Sequence, residues 1–309
     1  MKKLSIISTC FNEEDNIENC YKIIKEIMNK NNIAYEHIFT DNNSQDGSIK
    51  ILEKICESDK NIKVLVNNKN YGPFLNNFNA LKYAKNEFII VNYAVDMQDP
   101  PEMIIKMFEK IQDGYDVVYA KKTNTKEGFI IKNLRRFYYF LLHSSSDTYY
   151  PMNVNEFMCA KNEIIQDITK SNDYFPYVRG YIARATDNFF EIEFERRRRT
   201  SGKSKNKLID LYSQGINGLI FTMDKSIRIV GLSFIVLSLI SLIFLAYTVF
   251  AKIAFPSSAP KGITILISLV TLFFSLTSGI LSLILEYVLA IHNQIRGNLG
   301  IKIKKKINL

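Results

Sequence analysis

Two long runs without charged side chains constrain this chain more than any other feature. Residues 229–250 contain no Asp, Glu, Lys or Arg, and in residues 263–291 only Glu286 is charged. As a helix with a rise of about 1.5 Å per residue, the first run extends about 33 Å, which matches the hydrocarbon core of a bilayer. The alternative is a pair of buried core helices, but both runs exceed the length of about 18 apolar residues that is typical of membrane spans. We therefore predict two transmembrane helices.

The distribution of basic residues predicts how these spans are oriented. The chain carries a formal net charge of +9. Lys225 and Arg228 precede the first run, Arg296 and four lysines among residues 302–306 follow the second, and the intervening residues 251–262 carry only two lysines. The positive-inside rule then places both termini and the N-terminal part in the cytoplasm, as a multi-pass protein of the inner (plasma) membrane. Because the basic clusters flank the spans, we expect a lipid bilayer as partner and no nucleic acid.

Neither the N-terminus nor the cysteines indicate export. The opening residues MKKLSIISTCFNEE hold only a short apolar run, followed at once by acids, which does not match a signal peptide. The four cysteines, Cys10, Cys20, Cys56 and Cys159, show no CxxC or metal-ligand spacing. In a cytoplasmic domain we expect them to be reduced thiols.

The first part of the chain alternates between strand and helix patterns. Short apolar runs such as LSIIST and IKVLVNN are separated by segments of helical periodicity such as SIKILEKICES, which predicts an α/β fold with a mostly parallel sheet covered by helices on both faces. In such sheets, ligands bind beyond the carboxyl ends of the strands. Polar clusters occur at those ends: CFNEE at residues 10–14, DNNSQDGS at 41–48 and DMQD at 96–99.

The last of these clusters offers oxygen ligands. Asp96 and Gln98 lie two residues apart, and their oxygens suit a hard cation such as Mg²⁺ or Mn²⁺. A solvated loop explains the same pattern, and Asp99 before Pro100 is placed to cap the next helix. Asp41 also ends a strand, where its carboxylate can accept hydrogen bonds from a nucleobase or ribose.

Read in order, these stretches resemble a known family. CFNEE, DNNSQDGS, NYGPFLNNFNALKYA, VDMQDPPEMI, GYDVVYAKK and RTSGKSK are similar to the motifs of family 2 glycosyltransferases with the GT-A fold, in the polyprenyl-phosphate branch. That branch includes dolichyl-phosphate mannose synthase and bacterial undecaprenyl-phosphate glucosyltransferases. The resemblance covers most of the chain, and the DxQDPPE and RxxGxSK motifs are fairly specific to this branch. It implies a Rossmann-like GT-A domain followed by two transmembrane helices, and inverting, metal-dependent transfer of a sugar from a UDP- or GDP-linked donor to polyprenyl phosphate.

The resemblance also implies roles for matching positions. The donor-binding positions are Thr9, Phe11, Glu13, Asp41, Val95, Asp96 and Gln98. Thr9 stands where the family usually has proline, and Asp41 would bind the base. Asp96 and Gln98 would hold Mg²⁺ or Mn²⁺. Phosphate would be bound by Lys122, Arg199 and Lys205, with Asp96, Arg199 and Lys205 counted as catalytic. Residues 196–198 are interpreted instead as a charge run at the membrane surface.

Two positions depart from the family pattern. Ala94 stands where the family has the first acid of its D-x-D-x-Q motif, and Asn42 replaces the second Asp of the family's D-D-x-S-x-D-G. Asn42 keeps an oxygen. The loss at Ala94 is expected either to weaken metal binding or to shift coordination onto Asp96, Gln98 and phosphate oxygens. Mg²⁺ tolerates the second outcome because it takes only one or two protein carboxylates.

The predicted domains are a GT-A domain (1–205), an amphipathic juxtamembrane helix (206–227), a transmembrane hairpin (228–292) and a basic cytoplasmic tail (293–309). The aromatic and basic segment 129–150 is compatible with a helix on the membrane surface or with a core-facing helix. Small residues in the second span could pack two copies together, which would give a homo-oligomer.

Three alternatives remain at this stage. A processive polysaccharide synthase carries a Q-x-x-R-W motif and more spans, whereas this chain contains no tryptophan. A catalytically weakened nucleotide-sugar-binding scaffold is suggested by Ala94 and Asn42. A glycosyltransferase with another membrane-bound acceptor is the third.

The proposed reaction needs no general base, because a phosphate monoester is already mostly dianionic at neutral pH.

Overall fold

The computed structural model describes residues 3–123, 148–171, 176–197 and 301–309, together with scattered residues between 133 and 295. Most of the two predicted spans and of the predicted juxtamembrane helix, with Arg199 and Lys205, lies outside these residues. In the part of the chain that is described, no helix is both long and apolar enough to cross a bilayer.

One mixed sheet organises the described residues. Its strands are β1 (Lys3–Cys10), β2 (Ala34–Asp41), β3 (Ile62–Asn67), β4 (Phe88–Ile90), β5 (Val117–Lys122), β6 (Val154–Lys161), β7 (Phe189–Phe194) and β8 (Ile303–Ile307). Their order across the sheet is β7-β5-β6-β4-β1-β2-β3-β8. Only β6 and β8 run antiparallel to their neighbours, so the other six strands share one direction. The predicted α/β fold with a mostly parallel sheet is confirmed.

Helices cover both faces of this sheet. They are α1 (Glu14–Lys30), α2 (Ser48–Ser58), α3 (Pro73–Leu81), α4 (Glu102–Ile111), α5 (Asn162–Thr169) and α6 (Val178–Ala185). Buried residues of α1, α2 and α4 form one apolar cluster with the strands, and those of α3, α5 and α6 form a second. Because successive side chains of a strand point to opposite faces, Ile6 joins the first cluster and its neighbour Ile7 the second.

The C-terminal residues belong to this sheet. Residues 293–309 are predicted from their charge to be a cytoplasmic tail, but β8 pairs antiparallel with β3 at the sheet edge. Ile303 and Ile307, four residues apart on the strand, pack against the two apolar clusters. The lysines between them are exposed, which suits an edge strand because charge discourages further strand pairing. The sequence did not predict this strand, because three of its five residues are lysines and its two isoleucines are its only apolar residues.

Parts of two segments that are predicted to lie near a membrane contact the domain. In segment 129–150, Tyr139 is buried whereas Phe140 is 64% exposed, so the described residues show both a packed and an exposed side. From the predicted juxtamembrane helix, Phe221 packs edge-on against Tyr177 and Tyr181 at α6. Its carbonyl oxygen accepts a hydrogen bond of 2.7 Å from the guanidinium of Arg184.

Two adjacent isoleucines of α4 test the packing on the first face. Ile104 is fully buried, whereas Ile105 is only partly buried. We expect Ile104→Ala to lower the free energy of unfolding by about 2–5 kcal/mol, because it removes apolar contacts and leaves a cavity. Ile105→Ala is the matched control and should cost clearly less. Denaturant titration of both variants measures the difference; equal losses would contradict the assigned face of α4.

Candidate functional site

The loops after β1 and β2 are joined by hydrogen bonds. The backbone N–H of Asn12 donates to Ser44 Oγ (2.8 Å), and that of Gln45 donates to Asn12 Oδ1 (2.8 Å). The N–H of Glu13 donates to Ser48 Oγ (3.0 Å). Asn12 adopts a positive φ of 52°, a conformation that asparagine tolerates better than most residues. The sequence clusters CFNEE and DNNSQDGS therefore form one surface at the carboxyl ends of these strands.

Asp41 fixes the turn of the second loop. Its side chain is fully buried. Its carboxylate accepts hydrogen bonds from the Ser44 backbone N–H (2.8 Å) and from the Ser44 hydroxyl. Burial raises the pKa of Asp41, and the bonds from Ser44 act in the opposite direction. The structure therefore shows Asp41 holding its own loop, and contact between Asp41 and a nucleobase stays a prediction.

Asn42 has a structural reason to be an amide. Its Oδ1 accepts hydrogen bonds from the Tyr71 backbone N–H (2.9 Å) and from Asn67 Nδ2 (3.2 Å). Its Nδ2 donates to Asn70 Oδ1 (2.7 Å), which also accepts from the Gly72 backbone N–H (2.8 Å). An aspartate at position 42 would place an oxygen against the Asn70 oxygen, with no proton between them. The departure from the family pattern thus belongs to a local amide network.

The loop after β4 carries the predicted metal ligands. It turns between Ala94 and Met97, whose backbone N–H donates to the Ala94 carbonyl oxygen (3.1 Å) and whose φ is 51°. Asp96 is 6% exposed and Val95 is buried. The Asp96 Oδ1 accepts a hydrogen bond of 3.3 Å from the Gln98 backbone N–H. This turn holds Asp96 and Gln98 together, with Ala94 at its first position.

Asp99 does not cap the next helix. The N-cap residue of α4 is Pro101, and no side-chain cap hydrogen bond is formed there. Asp99 is instead 2% exposed, and its Oδ1 lies 3.6 Å from Nε of Arg196. Burial raises the pKa of Asp99, whereas the charges of Lys122 and Arg196 lower it. The cap prediction missed this because the contact joins segments nearly a hundred residues apart.

Lys122 is the counterpart of this carboxylate. It ends β5, and its backbone N–H donates to Asn153 O (3.0 Å). Burial and the nearby Arg196 charge lower the pKa of Lys122, and Asp99 and Asp96 raise it. The predicted phosphate ligand therefore lies in the field of both carboxylates, which partly offset the effect of burial on its pKa.

The segment after β7 reaches the same place. The Arg197 backbone N–H donates to Gln98 O (2.8 Å), and its guanidinium pairs with Glu102 (3.1 Å). Arg196 and Arg197 were predicted to belong to a membrane-surface charge run. In the structure both pair with acids near the 94–99 turn, and their position at a membrane surface stays a prediction. Arg198, Arg199 and Lys205 lie outside the described residues.

Glu156 is a site residue that the sequence patterns did not single out. It lies on β6, where its Oε2 accepts a hydrogen bond from Asn77 Nδ2 (2.9 Å). Glu156 also forms a side-chain hydrogen bond with Asn92. The Oδ1 of Asn92 in turn accepts a hydrogen bond from the Thr9 hydroxyl (3.3 Å). Burial raises the pKa of Glu156 to about 7, and the Arg179 charge opposes that rise. A single acid within the apolar strand sequence VNEFMCA was the only available signal.

Oxygen ligands are present for a hard cation, but they are few. Among the described residues, no three His, Cys, Asp or Glu side chains are grouped so that they could hold a metal ion. Asp96 and Gln98 supply a carboxylate and an amide oxygen, and the nearby Asp99 Oδ1 is buried without a hydrogen bond in the described structure. This set suits Mg²⁺ or Mn²⁺ only if phosphate oxygens or waters complete the coordination shell.

A family model agrees with this arrangement. The model described as glycosyl transferase family 2 matches residues 5–205, more than half of the 309 residues. The chain belongs to glycosyl transferase family 2. The matched range contains every predicted site residue, including Arg199 and Lys205. The prediction that the chain is a glycosyltransferase is thereby confirmed.

Named relatives agree with the family assignment. The uncharacterized glycosyltransferase YkcC of Bacillus subtilis is 28% identical over 94% of this chain and 90% of its own length. A prophage bactoprenol glucosyl transferase homolog of Escherichia coli is 24% identical over 87% of this chain and 88% of its own. Both alignments extend beyond the family 2 domain, in line with a resemblance that covers most of the chain.

A solved structure supports the fold. Glucosyl-3-phosphoglycerate synthase of Mycobacterium tuberculosis, crystallised with Mn²⁺, UDP and phosphoglyceric acid, matches this family 2 enzyme with a TM-score of 0.52. The match covers 71% of this chain and 77% of that one, at 14% sequence identity. At this identity the similarity shows a shared GT-A-like architecture.

Removing the charge of Asp99 tests its coupling to Lys122. Asp99 raises the pKa of Lys122, so Asp99→Asn should lower that pKa and let Lys122 lose its proton at a lower pH. The alkaline limb of the pH profile of kcat/KM should therefore move to lower pH. Glu102→Gln, which removes the exposed ion pair with Arg197, is the control and should leave the limb in place. An unshifted limb in Asp99→Asn would contradict the coupling.

The raised pKa of Glu156 predicts a pH-dependent stability. Its pKa rises from 4.5 to about 7 on folding, so burial of the protonated group costs little below pH 4.5. The cost grows as pH rises from 4.5 to about 7, because the unfolded chain ionises in this range while the folded state still holds the proton, and it levels off above about 7. Glu156→Gln should therefore gain in Tm over the wild type as pH rises from 4.5 towards 8. A Tm difference that stays constant over this range would contradict the assigned pKa.

Proposed function

We propose that this family 2 enzyme transfers a sugar from a UDP- or GDP-linked donor to polyprenyl phosphate at the cytoplasmic face of the membrane. One observation carries the proposal: the buried acids Asp96 and Asp99 share one site with the cations Lys122 and Arg196. Such a charge arrangement suits two phosphate groups that must come close together, as donor and acceptor do in this reaction.

The acceptor proposal is supported by the named relatives. Bactoprenol glucosyl transferase of Shigella phage SfV is 26% identical over 70% of this chain, and its name states a polyprenyl carrier and a glucosyl group. The sequence resemblance points to the same branch through DxQDPPE and RxxGxSK. A transfer assay with labelled UDP- and GDP-sugars identifies the sugar and the nucleotide.

The chemistry requires charge stabilisation. An acceptor phosphate oxygen forms a bond to the anomeric carbon while the bond from that carbon to the donor diphosphate breaks, and in-line attack inverts the configuration. Lys122, Arg199 and Lys205 would bind the phosphates, so that positioning and electrostatics supply most of the catalysis. With a pKa of about 7, Glu156 is partly protonated at neutral pH, which limits its repulsion of an incoming dianion.

A divalent cation fits this scheme. Asp96 and Gln98 would hold Mg²⁺ or Mn²⁺, with Asp99 as a further carboxylate nearby. When bound, the cation would neutralise charge on the leaving diphosphate. Thr9, Phe11, Glu13, Asp41 and Val95 are proposed to bind the donor, as the family resemblance implies.

The C-terminal strand supports the proposed membrane topology. Strands from residues 3–194 and from residues 303–307 belong to the same sheet, so the described chain on either side of the two predicted spans lies in one domain. Two spans within 228–292 would bring the chain back to the same side of the bilayer. Phe221 lies against α6, which would hold the domain close to the first span and to the lipid head groups. Association of two copies through the spans is also proposed.

A transfer assay tests the proposal. Membranes containing the protein are incubated with polyprenyl phosphate and labelled UDP- and GDP-sugars, with and without Mn²⁺. We expect one donor to move label into the organic phase in a cation-dependent way. No transfer from any donor would favour the nucleotide-sugar-binding scaffold, and transfer to an endogenous lipid alone would favour another membrane-bound acceptor.

Restoring the family acid at position 94 tests the metal site. Ala94→Asp adds a carboxylate to the turn that holds Asp96 and Gln98, so we expect tighter Mn²⁺ binding and a higher transfer rate at low Mn²⁺. Mn²⁺ titrations of transfer rate compare the variant with the wild type. Lys106→Asp is the control, because Lys106 is exposed on the outer face of α4 and the new acid lies away from the turn. Ala84→Asp would not serve, because Ala84 is buried in the core. Equal gains in both variants would contradict the assignment.

A further inference from the structure

We propose that the C-terminal strand β8 positions the donor-binding loops through Tyr71, so that the segment following the membrane spans is part of the donor site. The inference rests on the proposed function, because it takes the loops at residues 10–14 and 41–48 as the donor site. It makes Tyr71 a positioning residue, one that acts through Asn42 and does not touch the reacting atoms.

The first step is the contact between Lys302, which directly precedes β8, and the loop after β3. The Lys302 backbone N–H donates to the Tyr71 hydroxyl (3.1 Å). The Asn68 backbone N–H donates to Lys302 O (3.0 Å). The Tyr71 hydroxyl in turn donates to Asn68 Oδ1 (2.6 Å). Both ends of the loop that contains Asn68 and Tyr71 are thereby tied to Lys302.

The second step leads from this loop to the proposed donor site. The Tyr71 backbone N–H donates to Asn42 Oδ1 (2.9 Å), and Asn42 Nδ2 donates to Asn70. Asn42 directly follows Asp41, whose carboxylate orders the turn that ends at Ser44. Ser44 then accepts from Asn12 in the neighbouring loop. Hydrogen bonds, together with the covalent links within Tyr71 and between Asp41 and Asn42, thus join Lys302 to both donor-site loops.

The strand is anchored independently of Tyr71. Asn308 Nδ2 donates to Cys56 O (2.9 Å) and Ile62 O (3.0 Å), and Lys305 pairs with Glu53 (2.8 Å). Ile303 and Ile307 add apolar contacts with the core. These contacts fix β8 at the sheet edge, so its N-terminal end can hold Tyr71 in place.

Lys302 follows the second predicted span in the sequence. Its hydrogen bonds therefore link the part of the chain after that span to the proposed donor loops. Loss of one or two hydrogen bonds in this series should loosen loops that bind donor, and should leave the acceptor site unaffected. Because a single hydrogen bond makes a modest net contribution, donor affinity should fall by about threefold to tenfold.

Three variants of the full-length membrane protein test the inference. Tyr71→Phe keeps the ring and removes the hydroxyl that Lys302 and Asn68 share. Deletion of residues 301–309 removes the whole strand. Lys304→Ala changes an exposed side chain of β8 and is the matched control. The measurements are binding of UDP and GDP by titration calorimetry, separate KM values for donor and polyprenyl phosphate, kcat, and Tm.

We expect Tyr71→Phe to weaken nucleotide binding and raise donor KM by about threefold to tenfold, with kcat and acceptor KM unchanged. The deletion should weaken nucleotide binding more strongly and should also lower Tm, because it removes the core contacts of Ile303 and Ile307, and Lys304→Ala should match the wild type. In Tyr71→Phe, unchanged nucleotide binding, or donor and acceptor KM values that rise together with a fall in Tm, would overturn the inference. A wild-type chain that binds neither UDP nor GDP would overturn the proposed function and this inference with it.

Discussion

The common direction of six strands is the constraint on which the rest of the structure depends. Because β1, β2, β3, β4, β5 and β7 run the same way, their carboxyl ends lie along one edge of the sheet. The loops that follow β1, β2 and β4 carry most of the polar residues that match the family motifs. Strand direction therefore brings together residues as distant in sequence as Asn12, Asp96 and Arg196, and hydrogen bonds between loops then fix their positions.

Burial gives the charges of the site their character. Asp99 is buried and Lys122 is partly buried. Burial disfavours both charges, and each charge opposes the effect of burial on the pKa of the other. Buried charges are costly to keep unless they are matched. This arrangement suits a site that binds phosphate groups, because partial burial keeps solvent from fully screening the charge of the cations.

The sequence predicted the fold class, the strand-end clusters and the family, because these depend on local periodicity and on contiguous motifs. It did not predict contacts that join distant segments. Asp99 has the sequence context of a helix cap, yet it faces Arg196. Residues 302–306 have the lysine-rich composition of a tail, yet residues 303–307 form an edge strand. Asn42 resembles a lost acid until Asn70 and Tyr71 are placed beside it. Each of these depends on tertiary placement that spacing along the chain does not encode.

The central claim is that the loops at the carboxyl ends of β1, β2 and β4 form the donor site. Hydrogen–deuterium exchange with and without nucleoside diphosphate and Mn²⁺ tests this most directly. The account predicts that UDP or GDP protects backbone amides within residues 9–14, 41–48 and 94–99. Amides at the amino ends of the parallel strands, such as residues 59–61 before β3, should be unchanged. Protection confined to other regions, or none of these three loops protected by either nucleotide, would contradict it.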